Sequence, residues 1–184
     1  MVSPELVDAC KRGDPRAFEE LVKATHRQAY TLALRLVGDR QEAEDVAQEA
    51  YLRVFRGLSG FRGEARFETW FHRIVANAAM NHLRRKGRFG DLTAEPDDLE
   101  HSMPDTAADT ERVADRDELD RALARLPEAA RAVVVMKDMY GLSCREIGRE
   151  IGISEGAVKV RLHRARRRLK ELVYGQEAEV SHEV

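Results

Sequence analysis

GLSCREIGREIGISEGAVKVRLHRARRRLKEL, residues 141–172, is the stretch that decides the fold of this chain. Ser143 followed three residues later by Glu146 forms a capping box, which predicts that a helix begins there. Gly152 stands where the chain must leave that helix, and Ser154 is a residue type that caps the start of the next one. The stretch therefore predicts two helices joined by a tight turn.

The second of these helices has one apolar side and one basic side. Its apolar stripe, at alternating spacings of four and three, is Val158, Leu162, Ala165, Leu169 and Leu172. The opposite side collects Lys159, Val160, His163, Arg164 and Arg167. Residues 159–170 include seven Lys or Arg and no Asp or Glu. A short helix, a turn and a longer basic helix is typical of a helix that enters a DNA major groove, and a solvated amphipathic hairpin is the alternative.

The net charge of −2 conceals an asymmetry along the chain. Residues 1–90 carry 16 Lys/Arg and 12 Asp/Glu (+4), and residues 91–120 carry 2 and 12 (−10). Residues 121–174 carry 13 and 6 (+7), and the last ten residues contribute −3. Two basic segments thus flank an acidic one, which favours polyanion binding at both ends despite an isoelectric point near 6.3.

Several classes of protein are excluded by what the sequence lacks. It has no apolar run long enough for a membrane helix and no recognisable signal peptide, so we expect a soluble, cytoplasmic protein. Cys10 and Cys144 are isolated and are expected to be reduced, buried thiols, with a redox role as the alternative. No histidine has ligand spacing and no catalytic groups converge, so we expect no metal, no cofactor and no enzymatic activity.

The first half of the chain is predicted to be helical, and its third helix, from about Arg40 to Arg56, has a distinctive outer side. Within about 100° of arc this side presents an exposed leucine among carboxylate and amide groups: Asp45, Gln48, Glu49 and Leu52. We call these four residues the docking face. Such a surface suits docking onto a basic partner helix, and a merely solvated surface is the alternative.

A glycine-rich loop, GLSGFRGEARF at residues 57–67, leads into a helix predicted from about Arg66 to Lys86. We expect Phe61 to be exposed in the loop, and Trp70 and Phe71 to be core residues. The outward side of the helix is predicted to gather Thr69, Arg73, Ala76, Asn77, Met80 and Arg84, with Arg66 at its edge. Cations that follow phosphates, an amide that reads a base edge and an aromatic loop form a reasonable reader of single-stranded DNA.

Residues 89–116 are rich in acids, Ser, Thr, Ala and Pro, which predicts a flexible linker that serves solubility or mimics nucleic acid. Helix resumes near Asp117, and Pro127 suits the first turn of a further helix. No strand is predicted. The expected fold class is therefore all-α, with two small helical domains at residues 10–88 and 117–174 and a tail at residues 175–184.

Three segments carry the most distinctive motifs of the chain: DVAQEAYLRVF (45–55), FRGEARFETWFHRIVANAAMNHLRR (61–85) and LPEAARAVVVMKDMYGLSCREIGREIGISEGAVKVRLHRAR (126–166). In this order they resemble the extracytoplasmic-function (ECF) group of bacterial RNA polymerase sigma factors, within the sigma-70 family. The resemblance covers about residues 15–172. It implies that residues 10–88 are sigma region 2 and residues 117–174 sigma region 4. It also implies a subunit that directs promoter-specific initiation, is monomeric when free and is held inactive by an anti-sigma factor.

The resemblance further implies roles for individual residues. The docking face would bind the clamp helices of the polymerase β′ subunit, and the β subunit is a further expected partner. Phe61, Arg62, Gly63 and Asn77 match positions that open and read the promoter −10 element. Together with Arg66, Arg73, Met80 and Arg84 of the outward side of the helix, they are the predicted −10 residues, which we call the loop–helix face.

The positions that contact the −35 element are matched by Lys137, Lys159, Val160, His163 and Arg164. Together with Ser154, Glu155 and Arg167 of the second helix and its cap, they are the predicted −35 residues, which we call the recognition face. Val160 is apolar where relatives often carry a small polar residue, and the alternatives are contact with a thymine methyl group or no base contact. His163 replaces an aromatic residue of some relatives, so the promoter sequence itself does not transfer.

Two other classes of function fit parts of the pattern. A stand-alone helix-turn-helix regulator normally dimerises, but no unassigned apolar stripe remains to form a dimer interface. An all-helical protein-interaction module without DNA function would be indifferent to loss of Arg164 and Arg167. Promoter recognition accounts for the most features of the sequence.

Overall fold

A computed structural model of the chain describes residues 2–87 and 116–180, with side chains placed for residues 2–87 and 118–174. Its α-helices are α1 Pro4–Lys11, α2 Pro15–Val37, α3 Arg40–Gly57, α4 Phe67–Arg85, α5 Arg116–Ala124, α6 Glu128–Val134, α7 Cys144–Ile151 and α8 Glu155–Val180. Within the described ranges there is no strand, and no helix is both long and apolar enough to cross a bilayer. The all-α prediction is confirmed, while the predicted linker lies outside the described residues apart from Arg116.

The first four helices form a bundle whose helix ends are set by local caps. Asp14 Oδ1 accepts the Arg16 backbone N–H at 2.9 Å, and Asp39 Oδ1 accepts the Glu42 N–H at 2.9 Å. Helix α2 ends at Gly38, whose φ of 79° is a left-handed conformation that glycine adopts without strain. Helices α2, α3 and α4 then pack around fully buried side chains that include Leu21, Leu32, Leu36, Val54, Phe71 and Met80.

The helix-turn-helix predicted for residues 141–172 is present as α7 and α8. The Ser143 N–H donates to Glu146 Oε2 at 2.8 Å and the Glu146 N–H donates to Ser143 Oγ at 3.2 Å, which completes the capping box of α7. Ser154 Oγ accepts the Ala157 N–H at 3.1 Å and so caps α8. Helix α8 continues to Val180, past the domain boundary predicted at residue 174.

A close backbone contact inside this turn requires a glycine. A Cβ atom on Gly148 would lie 2.6 Å from the carbonyl oxygen of Ile153, which is closer than real Cβ contacts. The Ile153 N–H also donates to the Gly148 carbonyl at 3.0 Å. The angle between α7 and α8 therefore depends on the absence of a Cβ atom at Gly148.

The two groups of helices, α1–α4 and α5–α8, pack against each other and share one hydrophobic core. Arg35 Nε donates to Asp120 Oδ1 at 2.7 Å, which joins α2 to α5. The buried guanidinium of Arg131 on α6 donates to the Leu36 carbonyl at 3.2 Å. A cation at this point also stabilises the negative end of the α2 dipole. The structure is thus a closed arrangement of the two helical groups.

The cysteine prediction is correct for one thiol and wrong for the other. Cys10 is buried, and burial raises the pKa of its thiol, which disfavours the reactive thiolate. Cys144 is only half-buried. It begins α7, one turn before Ile147 reaches the core, so it lies at the edge of the apolar face rather than beneath it.

We expect Gly148→Ala to destabilise the helix-turn-helix, because the added methyl group must displace the Ile153 carbonyl. The expected loss in free energy of unfolding is about 1–3 kcal/mol, measured by urea denaturation followed by circular dichroism. Gly156→Ala is the matched control, since a Cβ there would meet only Ser154 Oγ, at 3.9 Å. The control should be neutral or slightly more stable. Equal stability of the two variants would contradict this role for Gly148.

Candidate functional site

The docking face occupies one side of α3. Asp45 and Gln48 are exposed, and Leu52 exposes 49% of its surface. Glu49 is half-buried and accepts a hydrogen bond from Arg53 Nε at 3.0 Å. The structure thus brings the four residues together, with the leucine available for contact between polar side chains.

Helix α4 adds to this surface two residues that the sequence analysis did not single out. His82 and Arg85 line, with the docking face, an open pocket of about 320 Å³ between α3 and α4. His82 Nε2 lies 3.3 Å from Oε2 of the buried Glu42, without hydrogen-bond alignment, and Lys86 Nζ lies 2.7 Å from Glu42 Oε1. No spacing in the sequence links these residues to α3, because only the packing of the two helices brings them together.

A wider, largely apolar groove runs beside the docking face, between α2 and α3. Phe55, which is 64% exposed, packs edge-on against Phe18 with ring centroids 5.1 Å apart. Val22, Tyr51 and Leu52 complete much of the lining. Phe55 lies one helical turn after Leu52, so the same spacing rule that identified Leu52 could have found it.

The loop–helix face is a stripe along α4 rather than one cluster. Arg66 precedes the first residue of α4 and Arg84 lies near its end, roughly 27 Å apart along the axis. Arg62 and Arg66 are exposed in and after the loop, and Gly63 turns the loop with a φ of 73°. Arg84 is exposed and donates to Asn81 Oδ1 at 2.6 Å. The cations of this stripe are therefore spread over most of the helix.

Phe61 is half-buried, so the prediction that it is exposed is wrong. Its ring centroid lies 5.1 Å from that of Trp70 and 6.0 Å from that of Phe67, and Lys11 Nζ lies 5.2 Å from its centroid. These contacts with aromatic residues at the start of α4 hold the Phe61 ring against the core. Phe61 keeps an accessible edge, next to the exposed Arg62.

Met80 and Ala76 are buried, so the prediction that they face outward is wrong. Met80 has an exposed fraction of 0% and Ala76 of 1%. A helical wheel gives α4 one buried side, but in the structure α4 packs against α2, α3 and α7. Because helices cover it from several directions, Met80 is a core residue in this arrangement.

Arg73 and Asn77 are both half-buried, and Arg73 contacts the second helical group. Arg73 forms an ion pair with Glu146 of α7. Burial by itself raises the pKa of Glu146, but hydrogen bonds from Ser143 and the charge of Arg73 outweigh it, so the pKa lies below its usual value. Within the described part of the chain, the buried Oδ1 of Asn77 has no hydrogen-bond partner. A buried oxygen without a hydrogen bond lowers the free energy of unfolding by about 1–3 kcal/mol.

The recognition face is largely open to solvent along α8. Its exposed members are Lys159, Val160, His163 and Arg167, and Arg164 is half-buried. The opposite side of the helix is buried in the core through Val158, Leu162 and Ala165. Helix α8 packs against α6 and α7, which direct the cationic side outward.

The two ends of the recognition face are held by ion pairs. Glu155 lies 3.2 Å from Lys159 Nζ and 3.5 Å from Arg145 Nε, so its charge is compensated at the start of α8. Lys137 lies half-buried in a π-helical segment, Val135–Met139. Arg166 donates two hydrogen bonds to Asp138 in the same segment, at 3.0 and 2.6 Å. Arg166, which the sequence analysis did not assign, therefore fixes the Lys137 segment beside α8.

Comparison with known proteins gives matches to both helical groups. Residues 21–89 match the family model for Sigma-70 region 2, and residues 116–169 match that for Sigma-70, region 4. The chain is 38% identical over 172 residues to the RNA polymerase sigma-H factor of Pseudomonas aeruginosa, covering 88% of this chain and 89% of that protein. It is 39% identical over 169 residues to the ECF RNA polymerase sigma factor SigM of Mycobacterium tuberculosis, covering 92% and 83%.

Solved structures give the same fold. CnrH, in complex with the cytosolic domain of CnrY, aligns with a TM-score of 0.54 at 28% identity, covering 92% of this chain and 96% of CnrH. The sigma factor RpoE of Bartonella quintana, solved with the anti-sigma factor NepR, aligns with a TM-score of 0.56 at 22% identity, covering 84% and 95%. The motifs, the two helical groups and these relatives agree: the chain belongs to the ECF group of RNA polymerase sigma factors in the sigma-70 family.

Proposed function

We propose that this protein binds core RNA polymerase in the cytoplasm and directs it to promoters that carry particular −10 and −35 elements. The observation that carries the proposal is the exposed cationic side of α8, held away from the core by a capped helix-turn-helix, in a chain of the sigma family. The polymerase synthesises the RNA, and this chain supplies the choice of sequence. No catalytic group of its own is needed.

The recognition face is assigned to the −35 duplex. Lysine and arginine side chains bind phosphates, which gives affinity that falls as salt concentration rises. Residues near the start of a recognition helix reach base edges in the major groove, which gives specificity. Exposed Lys159, Val160 and His163 occupy the early turns of α8, whereas Arg167 lies further along and suits a phosphate.

The first helical group is assigned to the polymerase and to the melted −10 element. On the docking face, Asp45 and Glu49 flank Leu52, which suits a basic amphipathic helix such as the clamp helices of β′. Arg62 and Arg66 lie exposed beside the partly accessible Phe61 ring, where phosphates and an unstacked base can bind together. Unpairing a base costs a few kcal/mol, which stacking and pocket contacts offset.

Binding both elements at once requires the two helical groups to separate. The elements are centred about 25 base pairs apart, which is about 85 Å of duplex. A compact chain of 184 residues has a radius of gyration of about 16 Å. Residues 88–115 connect the groups and span at most about 100 Å when fully extended. The closed arrangement, in which Arg73 is paired with Glu146, is therefore assigned to the promoter-free state, and the domain limits 10–88 and 117–174 describe the parts that move.

An anti-sigma protein is the expected inhibitor. RpoE of Bartonella quintana was solved with the anti-sigma factor NepR, and CnrH was solved in complex with the cytosolic domain of CnrY. A protein that covers the docking face and the groove containing Phe55 would block the polymerase directly, because Leu52 belongs to both surfaces. This assignment makes inhibition and polymerase binding mutually exclusive.

The first test is run-off transcription with core polymerase on a genomic promoter library. Wild-type protein should direct a defined set of start sites. Arg167→Ala should lower initiation several-fold and reduce the salt dependence of promoter binding by about one unit of slope, because one phosphate contact is lost. Arg27→Ala, which removes an exposed charge from α2, is the control and should behave as wild type. Failure of the wild-type protein to direct any start site would overturn the proposed function.

A second prediction concerns Asn77, whose Oδ1 is buried without a hydrogen-bond partner among the described residues. Asn77→Ala should leave the free energy of unfolding unchanged or raise it by about 1 kcal/mol, since an unpaired buried oxygen is removed. The same variant should initiate poorly on duplex promoters. Gln28→Ala, which truncates an exposed amide on α2, is the matched control and should initiate normally. Wild-type initiation by Asn77→Ala would remove Asn77 from the −10 assignment.

The third prediction concerns separation of the helical groups. Fluorophores are placed at Gln28→Cys on α2 and Lys170→Cys on α8, with Cys10→Ala and Cys144→Ala in the background. Energy transfer should be efficient in the free protein and fall when core polymerase and promoter DNA are added. A pair at Arg12→Cys and Gln28→Cys, within the first group, should report no change. Constant transfer for the first pair would show that the closed arrangement persists on the promoter.

A further inference from the structure

Val160 is an exposed apolar residue that is not part of the hydrophobic core. Among the described residues, the large hydrophobic side chains that are exposed are Leu52, Phe55 and Val160. The first two lie one turn apart and line the same groove on α3. Val160 lies on α8 with 44% of its surface exposed, on the side opposite Val158 and Leu162. Its exposure therefore needs a different explanation from that of the groove.

The surroundings of Val160 are cationic. Lys159 and Arg167 are exposed on the same side of α8, and Arg164 and His163 lie one turn beyond the valine. The nearby acid, Glu155, is compensated by Lys159 and Arg145. An apolar protein partner would have to bury or displace these charges, whereas a polyanion is attracted by them. The surface thus fits a ligand that is anionic overall and apolar at one point.

Duplex DNA offers such a point in its major groove. The thymine C5-methyl group is the apolar feature that a base presents there, beside hydrogen-bond donors and acceptors. Val160 lies in the second turn of α8, after the Ser154 cap, where a recognition helix reaches base edges. The cations beside it are suited to the flanking phosphates. A double-stranded RNA would lack the methyl group, and side chains cannot read its narrow major groove.

We propose that Val160 is a specificity-determining residue that reads the methyl group of one thymine in the −35 element. The inference rests on the proposed function and adds the identity of one base that the protein recognises. Valine has one strongly preferred rotamer in a helix, so its methyl groups are already ordered before contact. Valine also has no donor or acceptor, so an adenine or cytosine amino group facing it would lose a hydrogen bond to water and gain none. Both effects favour thymine.

The test uses the full-length protein with core polymerase and a promoter library whose −35 segment is randomised. Transcripts made by the wild-type protein should be enriched for thymine at one position. Val160→Ser should lose that enrichment and keep the preferences at the other positions. Arg167→Ala is the matched control, and should lower initiation on all sequences while keeping the thymine preference.

A chemical substitution then isolates the methyl group. On a promoter selected by the wild-type protein, deoxyuridine in place of that thymidine should lower promoter affinity about threefold to fivefold, in line with loss of one buried methyl. Val160→Ser should show the same affinity for both duplexes. At the same position, 5-methylcytosine should bind the wild-type protein more tightly than cytosine does.

Two results would overturn the inference while leaving the proposed function intact. One is a thymine preference that survives in Val160→Ser, and the other is a wild-type protein that does not distinguish thymidine from deoxyuridine at any position. A wild-type protein that yields no transcript from the library would instead overturn the proposed function, and the inference with it. Equal melting temperatures of wild type and Val160→Ser would show that folding is not the cause, as expected for an exposed side chain.

Discussion

The close approach of α7 to the turn that follows it is the constraint on which the DNA-binding surface depends. Gly148 lies against the Ile153 carbonyl with no room for a side chain, so the two helices meet at a fixed angle. Packing of α8 on α6 and α7 then buries its apolar stripe and turns its cations to solvent. Arg166 ties the Lys137 segment to the same surface. The contact between Gly148 and Ile153 thereby helps to orient the cations of α8, and the Lys137 segment is held beside them.

The joint between the helical groups connects stability with function. Arg131 and Arg35 hold the end of α2 against α5 and α6, in an apolar setting where a hydrogen bond is worth keeping. Arg73 on α4 pairs with Glu146 across the same joint, and Asn77, one turn further along α4, has a buried Oδ1 without a hydrogen-bond partner among the described residues. A side chain that is unfavourably buried in the closed form is consistent with a use in another form. Under the proposed function, binding to the polymerase and the promoter supplies the free energy that separation of the two groups requires.

Features set by neighbouring residues could be predicted well from the sequence. The capping box at Ser143, the glycine at the end of α7 and the cap at Ser154 all occur as expected. The outward faces of α3 and α8 were also identified, because each of these helices is covered on one side. Met80 was misplaced because its burial depends on helices that are distant in sequence. Phe61 was misplaced because it packs on the aromatic residues at the start of α4, and Cys144 because it lies at the edge of the apolar face of α7.

The sequence by itself determined the helices, their ends, the charge pattern and the family. Those properties follow from contacts within a few residues and from motifs written in order along the chain. The tertiary structure decided which side chains of α4 are covered, that His82 and Arg85 join the docking face, and that Arg73 meets Glu146. The physical reason is that α4 lies between several packed helices, and burial there is a property of the assembled bundle rather than of helical periodicity.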